Sequence, residues 1–124
     1  MSNFNLIVIE GRLTKDANFS HTSRGTAMLK FSIANNYYKK ENGERKEAVM
    51  FFNIIAWEKL AEIMSPYLKK GMPIIVSGKI VIDDYTDQNG AKKKWIQVVA
   101  NNIEFLSGAY SSKKKGNPDN KIPY

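Results

Sequence analysis

Two of the most β-rich runs in this chain carry a glycine at their centre. That feature constrains the fold more than any other. The first run is Leu6-Ile7-Val8-Ile9-Glu10-Gly11-Arg12-Leu13, and the other is Ile74-Ile75-Val76-Ser77-Gly78-Lys79-Ile80-Val81-Ile82. A glycine inside a strand weakens it, and is kept where the strand bends, bulges or meets another backbone closely. Strands that coil this tightly belong to small barrels.

Three further β-rich runs complete the set. Met28-Leu29-Lys30-Phe31-Ser32-Ile33-Ala34 alternates, with Leu29, Phe31 and Ile33 on one face. Val49-Met50-Phe51-Phe52-Asn53-Ile54-Ile55-Ala56-Trp57 follows, and the last run is Trp95 to Ala100, continuing through Ile103 to Leu106. Between the third and fourth runs, Leu60, Ile63, Met64, Tyr67 and Leu68 recur at helical spacing over Glu58 to Lys70, with Gly71 as a stop. Pro66 removes a helical hydrogen bond and is expected to bend or shorten this segment. Asn42-Gly43 and Asn89-Gly90 mark hairpin tips. The expected fold is all-β: a five-stranded OB-fold barrel with one helix between strands three and four. Another small barrel or a half-open sandwich is the alternative.

The 124 residues fit one domain, expected over residues 1–106. From Ser107 the composition turns to serine, glycine and lysine, which predicts a flexible C-terminal tail over 107–124. The net charge of +7 favours a polyanionic partner. With no cysteine, thiol catalysis, disulfides and cysteine metal sites are excluded. Met1-Ser2-Asn3-Phe4-Asn5 has no basic region leading into an apolar stretch, and no apolar run reaches the roughly 18–20 residues that span a bilayer. A soluble, cytoplasmic protein without membrane contact is expected.

Aromatics interleave with cations along these runs. A ring offers a π-face to an unpaired base and a neighbouring cation attracts phosphate, whereas most rings in a small domain are core. Alternation separates the two uses. In the third run Val49, Phe51, Asn53, Ile55 and Trp57 share a face, and an asparagine there argues that the face is partly open. In the fourth, Ser77, Lys79, Val81, Asp83 and Tyr85 form the wetter face. Arg12, Lys15, Arg24 and Lys30 lie near the first two runs; Lys39, Lys40, Arg45 and Lys46 flank one hairpin, and Lys92, Lys93 and Lys94 the other. A solvated surface explains any one lysine; shared strands and loops argue for nucleic-acid binding by the ensemble. The apolar first strand and the Phe52/Ile54 face are candidate surfaces for self-association.

The chain resembles the bacterial single-stranded DNA-binding protein family. The matching stretches are Gly11 to Asp16, Gly25-Thr26-Ala27, Phe51 to Glu62, Tyr67-Leu68-Lys69-Lys70-Gly71 and Tyr85 to Gly90, in order and spacing over about residues 4–106. The resemblance implies an OB-fold homotetramer that coats and protects single-stranded DNA without sequence preference in replication, recombination and repair, in the bacterial cytoplasm with the nucleoid. It puts stacking rings at Tyr37 or Tyr38, Phe51, Trp57 and Tyr85. With the bottom-up reading of the face, the expected DNA-binding set is Arg12, Lys15, Lys30, Tyr37, Tyr38, Lys39, Phe51, Asn53, Trp57, Lys79, Tyr85, Lys92 and Lys93.

Three stretches depart from the family pattern. Trp95 replaces a small or polar residue and is either an added stacking ring or a core residue, with the surface contact preferred. Asp83-Asp84 stand where relatives often carry cations, and should repel phosphate beside Tyr85. The family's acidic tip, which docks replication and repair proteins, becomes Asn117-Pro118-Asp119-Asn120-Lys121-Ile122-Pro123-Tyr124. Ile122, Pro123 and Tyr124 are the expected partner-binding residues, with altered charge complementarity.

An enzyme is not expected. His21 is the only histidine and is read as a loop residue; the glycines are scattered singly, so no phosphate-cradling loop is present. No cofactor or metal is implied. A dimeric adaptor protein and an RNA-binding OB module are the competing classes.

Overall fold

A computed structural model describes residues 3–106. The elements are β1 (Ile7–Leu13), β2 (Asn18–His21), β3 (Ala27–Glu41), β4 (Glu44–Trp57), α1 (Glu58–Met64), β5 (Pro73–Thr86) and β6 (Lys92–Phe105). The sheet runs β1-β5-β6-β4-β3-β2, and β1 also pairs with β3, which closes β1, β5, β6, β4 and β3 into a five-stranded barrel. Only the β4–β6 pair is parallel. The short β2 was not anticipated. It lies outside the closed circuit, on the N-terminal half of β3, and places His21 opposite Ala27 in a strand rather than in a loop.

Alternation builds the core. Ala27, Leu29, Phe31 and Ile33 of β3 point inward with Ile54 and Ala56 of β4, Ile74 and Val76 of β5, and Val98 and Ala100 of β6. The two mid-strand glycines sit where the barrel wall is tightest. A Cβ on Gly11 would stand 2.7 Å from the carbonyl oxygen of Ala34, across the β1–β3 closure, and one on Gly78 would strike the Val99 carbonyl. At Gly78 the β5–β6 register slips: Ser77 pairs with Asn102 and Gly78 with Ala100, so Asn101 is the extra residue of a bulge.

The helix ends at Met64, well short of Lys70. Pro66 cannot continue the ladder, and Ser65 closes the last turn by donating its N–H to Ala61. Ala61, Met64 and, beyond the helix, Leu68 still enter the core, so the apolar spacing survives without helical backbone. At the β3–β4 tip Asn42 and Gly43 both have positive φ, 53° and 80°, the two-residue turn that the Asn-Gly pair favours. At the other tip the Asp87 carboxylate accepts the N–H groups of Asn89 and Ala91, each at 2.9 Å. Both hairpins extend well past the barrel body, so β3 reaches Glu41 rather than ending near Ala34.

The Phe52/Ile54 face is not a free surface. Ile54 is fully buried and Phe52 packs against the core, because that parity of β4 faces the barrel interior. The outward side of β1 does remain apolar and exposed at Val8, with Leu6 and Phe4 exposed just ahead of the strand.

Candidate nucleic-acid interface

Paired residues on adjacent strands project to the same side, so the outward alternates of β3, β4, β6 and β5 make one continuous surface. Rows of the register cross it. Lys30 lies opposite Ile55, Ile55 beside Val99, and Val99 opposite Lys79. The next row is Ser32, Asn53, Gln97 and Val81. Beyond it Phe51 faces Ala34 on one hairpin while Trp95 faces Asp83 on the other. Further out Tyr38 faces Glu47, and Tyr85 faces Lys93. Trp57 ends β4 opposite Met28. Tyr38, Phe51, Trp57, Tyr85 and Trp95 are between 36% and 64% exposed, which for rings of this size leaves much of each available.

Of the two adjacent tyrosines, Tyr38 shares the Phe51 face. Tyr37 pairs with Ala48, points to the other side and is half-buried. Ile55 departs from its expected open setting: it is buried although its parity is outward, between Lys30 and Val99 in the register. Asn53 is exposed, as its neighbourhood on that face implied.

A cleft of about 470 Å³ opens on this surface, lined by Lys15, Lys30, Ser32, Asn53, Trp95 and Gln97 among others. Lys92 and Lys93 line a second cleft with Tyr85. Lys79 is exposed on the ring face. Lys39, opposite Lys46, and Lys92, opposite Thr86, share the parity of Tyr37 and Asp84 and face away from the rings. Alternation from Tyr38 and Tyr85 puts them on the reverse of the hairpins. Arg12 projects outward in register with Ala34 but donates a hydrogen bond to the Gly71 carbonyl at 3.0 Å, so one of its N–H groups is committed. Arg12 is therefore on the β1 side of the surface, away from the cleft that holds Lys15 and Lys30. Ile122, Pro123 and Tyr124, and the whole expected tail, lie outside the described residues.

The two aspartates beside Tyr85 do different things. Asp84 points away from the rings and accepts a charge-assisted hydrogen bond from Lys94 Nζ at 3.0 Å. The expected joint repulsion is thus corrected: Asp84 is partnered, on the opposite face. Asp83 stands on the ring face, opposite Trp95, and has no ionic partner among the described residues. Lys93 reaches Asp87 at 3.7 Å, a loose and exposed pair.

Gln97 was missed. Its signal was present in the alternation of β6, where Trp95, Gln97 and Val99 take one face and Ile96, Val98 and Ala100 the other. Trp95 is exposed on the same side as the other rings. Among the described residues no group of three or more histidine, aspartate and glutamate side chains could hold a metal ion, and no helix is long and apolar enough to cross a membrane.

The closed five-stranded circuit, with its helix between β4 and β5, defines an OB-fold protein. Residues 4–106 match the model of the single-strand binding protein family, and the chain belongs to that family. It is 37% identical over 108 residues to the single-stranded DNA-binding protein of Borreliella burgdorferi, covering 86% of this chain and 72% of that one. It is 33% identical over 110 residues to the single-stranded DNA-binding protein of Wolinella succinogenes, covering 88% and 68%. The fold is also that of the Plasmodium falciparum SSB solved in complex with ssDNA, with a TM-score of 0.77 at 19% identity over 86% of this chain and 97% of that one.

Proposed function

We propose that this protein binds single-stranded DNA without sequence preference and coats it during replication, recombination and repair. The observation that carries the reading is the shared outward face of Tyr38, Phe51, Trp57, Tyr85 and Trp95, on which Lys93 lies opposite Tyr85 and Lys30 and Lys79 close one row between the rings. Rings on one face stack successive bases whatever their identity, and the lysines displace counterions from the phosphates. Lys15 and Arg12 extend the cationic border, Lys39 and Lys92 add charge from the reverse of the two hairpins, and Asn53 supplies a neutral hydrogen-bonding group. No bond is made or broken; the work is mass-action coating.

Membership of the family and the names of its relatives support the same substrate. The exposed apolar strip of Phe4, Leu6 and Val8 supports self-association, with a homotetramer as the proposed assembly. Partner proteins are proposed to dock on Ile122-Pro123-Tyr124, in the bacterial cytoplasm and at the nucleoid.

Titration with oligo-dT, oligo-U and duplex at two salt concentrations tests the reading. Binding to oligo-dT should exceed the other two and weaken with salt, with a slope of about −0.7 per phosphate neutralised. Trp57→Ala should weaken oligo-dT binding by about 1–3 kcal/mol while the protein stays folded. Equal affinity for duplex, or a folded Trp57→Ala protein that binds as before, sinks the stacking model.

A further inference from the structure

We infer that Asn5 is a positioning residue for the DNA-binding surface. Its side-chain amide latches the root of the β5–β6 hairpin, and so sets the direction of the arm that carries Tyr85 and Trp95. The inference rests on the single-strand reading above and gives that reading a residue outside the ring face.

The latch is a strand rung made by a side chain. β1 pairs with β5 from Arg12 opposite Pro73 to Ile7 opposite Gly78. Two residues further along this antiparallel register Asn5 meets Ile80, where the N-terminal backbone has already left the strand. Asn5 Nδ2 donates to the Ile80 carbonyl at 2.9 Å, and the Ile80 N–H donates to Asn5 Oδ1 at 3.0 Å. A primary amide carries a donor and an acceptor side by side. It can therefore satisfy both of the backbone groups that a neighbouring strand would otherwise take. Neither a methyl group nor a carboxylate can do both.

The place of the latch gives it leverage. Val98 lies opposite Ile80 and beside Ile54 of β4, so β4 holds this row from one flank and Asn5 from the other. Burial ends close by. Val98 is buried and Ile80 half-buried, whereas Ile82 to Thr86 of β5 and Lys92 to Ile96 of β6 are all exposed. There β5 has left β1 and β6 has left β4, so the arm is two strands holding only each other. Tyr85 stands five residues past Ile80, about 17 Å at the usual strand rise, and a tilt of about 10° at the root moves it by about 3 Å. Atoms in contact are only about 3.5–4.0 Å apart, so such a shift takes the ring off a base. Asn5 sits on the edge of β5 opposite β6, and it is exposed, so removing its amide leaves the core intact.

Oligo-dT titrations of Asn5→Ala, alone and combined with Tyr85→Ala or Tyr38→Ala, test the assignment. Asn5→Ala should weaken binding about threefold to tenfold, part of what one stacked base contributes. The loss should shrink in the Tyr85→Ala background, where the ring it positions is gone. It should persist in full with Tyr38→Ala, on the other hairpin. The two tryptophans supply a second readout. With 5-fluorotryptophan incorporated, free Asn5→Ala protein should show a shifted or broadened Trp95 ¹⁹F resonance and an unmoved Trp57 resonance, the two assigned by Trp95→Phe. Asn5→Asp keeps the acceptor for the Ile80 N–H and loses the donor. It should reproduce these effects, and it takes the place of Asn5→Ala should that protein not fold. Unchanged oligo-dT binding by the folded variant overturns the positioning role, as does an unmoved Trp95 resonance. An equal loss in both tyrosine backgrounds overturns it too, since Asn5 would then act through stability or assembly. If the unsubstituted protein does not bind oligo-dT, the single-strand reading itself fails and the positioning role fails with it.

Discussion

The guanidinium of Arg45 lies over the ring of Tyr38, 4.2 Å from its centroid. One face of the ring is thereby covered by a planar cation, which holds the ring in place and leaves the other face for a base. Tyr38→Ala should weaken oligo-dT binding by about 1–3 kcal/mol. Arg45→Ala should cost about 0.5–1 kcal/mol, and Arg45→Lys less, since it keeps the charge but loses the flat stack. In a fluorescence-anisotropy double-mutant cycle, the pair should lose less than the sum of the single losses. Strict additivity would separate the two residues.

Asp83 and Asp84 adjoin in sequence and should part in their effects. Asp83→Lys places a cation on the ring face and should tighten oligo-dT binding, most at low salt, steepening the salt slope by up to about 0.7 per phosphate newly contacted. Asp84→Lys faces away from the rings and sets a like charge against Lys94, so it should change affinity less. Equal tightening by both would place the strand around the edge of the hairpin.

Gly78→Ala should destabilise the fold by about 1–3 kcal/mol or more, because its added methyl has no room against the Val99 backbone. Urea unfolding measures this. Gly43→Ala meets no neighbouring atom, and only its positive φ of 80° resists the change. The two substitutions thus separate crowding from backbone conformation.

Glu58 has φ of 55°, directly after Trp57 at the strand-to-helix junction. A left-handed residue with a side chain carries about 1–2 kcal/mol of strain. Glu58→Gly should therefore be neutral or stabilising by up to about 1 kcal/mol, where glycine elsewhere in a helix costs about that much. A loss of 1 kcal/mol or more on urea unfolding would mean that the glutamate side chain contributes more than its backbone strain costs.

What could be read in advance follows from the reach of each signal. Period-two alternation marks faces, so the outward set of β4 and β5 was legible from Phe51, Asn53, Lys79 and Tyr85 alone. Gly11 and Gly78 announced close backbone approach. Alternation cannot say which neighbouring strand covers an outward residue, so Ile55 was misplaced. Nor can it pair charges across strands: the Asp84–Lys94 contact depends on the register of β5 against β6. The spacing of Leu60, Met64 and Leu68 suggested a long helix, and the core accepts all or most of those side chains on a backbone that Pro66 has already turned. Tyr37 and Tyr38 are distinguished only by the unbroken β3–β4 register that ties Phe51 to Ala34.

Asn101 is the unpaired residue of the β6 bulge. Ahead of it Trp95, Gln97 and Val99 face outward; behind it Ile103 turns inward to the core. Deleting that one residue would leave Ala100 and Asn102 adjacent, still opposite Gly78 and Ser77, with Trp95 and Gln97 outward and Ile103 inward on a strand of plain alternation. The two faces could be had with one residue fewer. What Asn101 adds is the extra bend and twist of a bulge, beside the glycine that lets the Val99 backbone approach. At this point in the chain, an added residue is spent on curvature.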